Sequence, residues 1–166
     1  MCLIVESPDT KPSVATTDIE VYKVVRINAA ANTMMSPYQF SPVSLEVEYK
    51  LPNYNPKIRK GWTNPDNFIL DIGFHSFKNK KDAFQEASEW KLGVAELSEI
   101  HLLTELSEIH PLTWEVVSCI IPKGSLYFEG KCENLYVEGS TDENPLYADG
   151  YVSDTIIYKE FCYERN

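Results

Sequence analysis

No apolar stretch of this 166-residue chain approaches the roughly 20 residues that a membrane-spanning helix needs. An integral helical membrane protein is therefore not expected. Positive charge is scarce, with 15 Lys and Arg against 25 Asp and Glu and a net charge of −10. That balance argues against a protein that grips nucleic acid by neutralising phosphates. Cysteine is limited to Cys2, Cys119, Cys132 and Cys162, with no C-x-x-C spacing. Free thiols in a reducing compartment are the expectation, and no structural metal. The phosphate-loop, dinucleotide-fingerprint and nucleophile-elbow patterns are missing, as is H-E-x-x-H. The first residues lack the basic n-region and long apolar core of a secretory signal, so cytoplasmic residence is expected.

What is present is enough apolar material, 43% of residues, to bury the core of one ordinary domain. The charge is lopsided. Residues 1–95 hold eleven acidic and eleven basic side chains, whereas residues 96–166 hold fourteen and four. Basic clusters occur at Lys57, Arg59 and Lys60 and at Lys78, Lys80 and Lys81. An acidic C-terminal part either keeps the domain soluble or docks a basic protein.

The run Ile19 to Ile27 is rich in β-branched residues and predicts a strand. Residues 42–49 alternate and predict a half-buried strand with Val43, Leu45, Val47 and Tyr49 inward. Residues 28–37 and the proline-rich stretch 52–66 read as loops, and Phe68 to Phe77 as a strand or strand-turn. Asn79 or Asp82 can cap a helix whose inner face holds Ala83, Phe84, Ala87 and Trp90. The continuous run Val116 to Ile121 predicts a central strand, Leu126 starts another, 138–150 reads as loop, and Tyr151 to Tyr163 predicts one long strand. The class expected is α+β: a single domain, 1–166, with a largely antiparallel twisted sheet and one principal helix around 82–92. Residues 96–104 and 105–113 repeat one nonapeptide with a single change, at Pro111. Nine residues advance a helix by half a turn beyond two full turns, so His101 and His110 cannot share a metal on one straight helix.

Three resemblances are carried by particular residues. The start Met1-Cys2 resembles amidotransferases and abasic-site-binding proteins that begin Met-Cys-Gly, with Leu3 in place of glycine. A buried strand residue is the competing reading of Cys2. Tyr22-Lys23-Val24, Gly73-Phe74-His75-Ser76-Phe77 and Ile121-Pro122-Lys123-Gly124-Ser125 resemble a group of small bacterial and phage proteins, a likeness that implies no activity. Gly73 to Phe77 with the following helix, and Ser153-Asp154-Thr155-Ile156-Ile157-Tyr158, also resemble elements of the ADP-ribosyltransferase fold.

That last resemblance implies a nicotinamide nucleotide such as NAD, with His75 stacked on it in the place of the family's tyrosine and Ser76 beside it. It implies Asp154 in the place of the catalytic glutamate, and Arg26 in that of the arginine of the Arg-Ser-Glu branch. The chain lacks the His-Gly pair of the other branch and any Ser-Thr-Ser or Glu-x-Glu, and its aspartate is one methylene shorter. The resemblance thus implies a divergent domain, with or without turnover. Read on their own, His75 is equally a strand-end histidine bonded to backbone, and Asp154 a turn carboxylate. The leading expectation is a cytosolic binding or regulatory protein, without cofactor, that docks a basic protein; the nicotinamide-binding domain is the alternative.

Overall fold

The computed structural model describes residues 3–28, 33–36, 41–61, 65–70, 72–101, 112–133 and 147–163. Thirteen strands and one helix occur among them. They are β1 (Leu3–Val5), β2 (Ser13–Val14), β3 (Ile19–Asn28), β4 (Thr33–Met35), β5 (Pro42–Val43), β6 (Glu48–Lys50), β7 (Ile58–Lys60), β8 (Phe68–Leu70), β9 (Phe74–Phe77), α1 (Lys80–His101), β10 (Leu112–Ile121), β11 (Leu126–Glu133), β12 (Tyr147–Ser153) and β13 (Thr155–Cys162). The ladders between strands are all antiparallel, and the order runs β6-β13-β10-β3-β9-β12-β11-β1-β8-β7. One isolated parallel bridge joins Leu45 to Tyr158. With a single helix against so many strands, the fold is mostly β rather than the expected α+β.

This sheet cannot be flat. β12 and β13 are separated in sequence by Asp154 alone, yet they lie four strand-to-strand steps apart in the order. Four steps span about 19 Å in a flat sheet. Two residues flanking one other are at most about 7 Å apart. The sheet therefore curls until β12 and β13 form one bent strand, with Asp154 at the corner. Two half-sheets result, β6-β13-β10-β3 and β9-β12-β11-β1-β8-β7, meeting through the single pair Tyr22 and Phe77.

The inner strands β3 and β10 pack apolar side chains on both faces, which explains their richness in valine and isoleucine. On β3, Val24 joins one core and Val21 and Val25 the other; on β10, Val116 and Val117 divide the same way. The first core lies under α1 and includes Phe77, Ala83, Ala87, Phe128, Cys132 and Val152. The second includes Cys119, Ile121, Tyr151, Ile156 and Tyr158. Opposite Val117 and Cys119, β13 carries an extra residue between Tyr158 and Phe161. That bulge lets Tyr158 and Phe161, three apart, face the same core.

Several expectations are corrected. The stretch 42–49 is not one strand: Glu46 sits at φ 60, its N–H bonds to the Tyr158 carbonyl, and Leu45 and Val47 are exposed. A left-handed residue ends the alternation and rotates both side chains outward. The stretches read as loops contain β4 and β7, because their prolines and asparagines flank short pairings with β3, β5 and β8 instead of interrupting them. The helix begins after Asn79, whose carbonyl accepts the Ala83 N–H, and runs past 92 to His101 despite Gly93. The second nonapeptide copy up to Pro111, with His110, lies outside the described residues, as do Cys2 and most of 138–150.

Gly130 and Gly150 are paired across β11 and β12. A Cβ on Gly130 would meet the Ile4 carbonyl oxygen, and one on Gly150 the Cys132 Sγ and the Ser76 carbonyl. Gly130→Ala and Gly150→Ala are each expected to cost about 2 kcal/mol or more by urea unfolding. Losses below about 0.5 kcal/mol would contradict this close approach.

Candidate functional site

Polar side chains with chemical potential collect at the two joints of the sheet. Between the Tyr22–Phe77 pair and the β4 pairing that starts at Arg26, residues 23–25 of β3 have no strand partner on that side. Residues 74–76 of β9 likewise face no strand there. Lys23 spans this opening: it is 7% exposed, and its Nζ donates to the His75 carbonyl. An interior ammonium loses its hydration, so burial pulls the Lys23 pKa down to about 8, with Cys119 and Cys132 acting weakly against that shift. Burial drives both thiols up to about 12, which makes them inert as nucleophiles.

His75 is half-buried, and its Nε2–H donates to the Leu70 carbonyl at 3.1 Å. Burial first, and then the Lys23 charge, push its pKa down to about 4, while the Leu70 carbonyl opposes them. At neutral pH it is a neutral imidazole whose tautomer is fixed by its bond to backbone. Ser76 is buried, with its hydroxyl 3.5 Å from the Tyr151 carbonyl. Glycine is required just upstream: Gly73 has φ +140, and a Cβ there would strike Val152 Cγ1.

Asp154 occupies the corner. It is 7% exposed, and its Oδ1 accepts the Leu126 N–H at 3.1 Å and the Thr155 hydroxyl at 2.9 Å. Its own N–H donates to the Leu126 carbonyl at 3.0 Å, and its carbonyl accepts the Leu51 N–H at 2.8 Å. The ends of β6, β11, β12 and β13 are thus joined at one residue. Tyr54 stands beside it with its hydroxyl on the Ile72 carbonyl at 3.2 Å, and burial followed by the Asp154 charge raises the phenol.

No hydrogen bond or ion pair joins the side chains of His75 and Asp154, which bond instead to Leu70 and to Leu126 and Thr155. Arg26 lies elsewhere, on the α1 side of β3, with its guanidinium 5.9 Å from the Trp114 ring centre. Trp114 in turn meets Trp90 of α1 edge to face at 4.4 Å. Among the described residues no group of three or more His, Cys, Asp or Glu could hold a metal. None of the helices described is long and apolar enough to cross a membrane.

Sequence reasoning missed two residues. Lys23 falls between Val21 and Val25 at inward-facing positions of β3, which is the signal that could have exposed it. Glu86 falls between Ala83, Ala87 and Trp90 at helical spacing, on the face read as wholly apolar.

Among the aromatic residues of the C-terminal strands, Phe128, Tyr151 and Tyr158 are buried, and Tyr127 packs on the second core.

Compared with protein-family models, with curated proteins and with solved structures, the chain has no match.

If the Asp154 carboxylate is part of the scaffold, Asp154→Ala strands a part-buried N–H and a buried hydroxyl. It is expected to cost about 2 kcal/mol or more, and Asp154→Asn, which keeps an oxygen acceptor, distinctly less. Equal and negligible losses in chemical unfolding would contradict the corner as described.

Proposed function

We propose that this chain is a binding or regulatory protein that docks a basic protein partner through acidic segments carried on a closed sheet scaffold. The observation behind this reading is where the charge lies. Residues 96–111 contain Glu96, Glu99, Glu105 and Glu108, and residues 134–146 contain Glu138, Asp142 and Glu143, with no Lys or Arg in either. These two segments therefore carry −7 of the total −10. On and beside the strands, by contrast, carboxylates find lysines within the chain: Glu129 pairs with Lys78, Asp149 with Lys131, and Glu46, in the turn before β6, with Lys159. Exposed pairs of this kind add little stability, but they leave the sheet surface close to neutral. Of these seven acidic residues, Glu96 and Glu99 belong to the last turns of α1, Glu105 and Glu108 to the sequence between α1 and β10, and Glu138, Asp142 and Glu143 to the sequence between β11 and β12.

A nicotinamide nucleotide is less well supported. It would require the His75 ring and the Asp154 carboxylate to meet on one ligand, and both are engaged with groups that hold the sheet together.

The test is binding of a synthetic Lys/Arg-rich peptide at two salt concentrations. Its Kd is expected to weaken at least tenfold between about 50 and about 300 mM NaCl, as the Debye length shrinks. The Gln quadruple variant at Glu96, Glu99, Glu105 and Glu108 should weaken it comparably at low salt. Absence of binding at low salt, or binding indifferent to salt and to these substitutions, would overturn the proposal.

A further inference from the structure

The α1–sheet interface contains one carboxyl group that simple packing does not explain. Glu86 is 5% exposed on the inner face of the helix, among Ala83, Ala87 and Trp90. Among the described residues no ion pair reaches it. A buried charge without a counterion is costly, and the usual escape is to remain protonated.

We propose that Glu86 is a proton-operated latch on α1. Neutral, it lets the helix lie closed on β3 and β10; ionised, it loosens the helix from them.

The surroundings on every packed element fit that assignment. On its own helix, Glu89 opposes ionisation by like charge, while the Trp90 indole N–H favours the carboxylate. Cys132 of β11 lies within electrostatic range and stays a neutral thiol near neutral pH. The same face of β3 presents Tyr22, Val24 and Arg26, β10 presents Trp114 and Val116, and β9 presents Phe77. Burial outweighs these effects and lifts the Glu86 pKa to about 7.

The sign follows from proton linkage. A carboxyl raised from about 4.5 to about 7 binds its proton more tightly in the docked state. Docking is therefore favoured at low pH, and that advantage is lost as pH rises from 4.5 to 7. His75 acts in the opposite direction between 4 and 6.5, and Lys23 only above 8, so the interval from 6.5 to 8 belongs to Glu86.

Hydrogen exchange of the α1 amides, corrected for intrinsic rates, tests the latch. The opening equilibrium of α1 is expected to rise about tenfold between pH 6 and pH 8 in the wild type, and to stay flat in Glu86→Gln. In the wild type alone, tryptophan emission should shift with a midpoint near 7, because Trp90 and Trp114 stack across this interface. This second readout stands even if the variant does not fold. Exchange and emission independent of pH in the wild type would overturn the proposal, as would the same tenfold rise in Glu86→Gln.

Discussion

The fold depends on closing a sheet around an opening that backbone pairing alone does not seal. β3 and β9 share one residue pair, and beyond it the Lys23 ammonium reaches across to the His75 carbonyl. A lysine is suited to this position because its stem can pass between Val21 and Val25 while its head supplies the donor that a neighbouring strand would have given. The cost is an interior cation that no carboxylate pairs with among the described residues. The structure offsets that cost with apolar burial on both faces of β3 and β10, where Val21, Val25, Val116 and Val117 are almost wholly removed from water.

The second joint is covalent. The chain passes from one half-sheet to the other within three residues, and a bend that sharp strands backbone groups that strands would otherwise pair. Asp154 answers this with four bonds to Leu51, Leu126 and Thr155, and Ser153 adds a bond from its hydroxyl to the Thr155 carbonyl at 2.8 Å. The buried polar residues of this corner are thus satisfied by one another. Asp154, singled out in the linear sequence as a candidate site residue, thus also holds the geometry of this corner.

Much of the strand pattern was legible because local preference and tertiary role agree. Val116 to Ile121 is nearly all apolar and Ile19 to Ile27 is rich in β-branched residues, and both lie in inner strands with core on two sides. Tyr151 to Tyr163 reads as one strand and forms a bent one, since nothing in residues 151–158 breaks β structure locally; the bend comes from partners distant in sequence. Leu45 and Val47 misled for the opposite reason. Their alternation is real, but Glu46 in the left-handed region and the pairing of β6 with β13 set their direction. At the candidate site, the strand-end reading of His75 describes its Leu70 bond. Lys23 and Glu86 escaped notice because periodicity marks where a side chain points and does not reveal a charge accepted there.

Lys23 is the most direct test of this account. Its titration can be followed by NMR in protein labelled at the lysine Cε. Closure of the sheet around a dehydrated amine predicts a midpoint near 8, well below the ordinary 10.5. A Lys23 midpoint near 10.5, indistinguishable from the surface lysines, would place the amine in water and contradict the closed sheet.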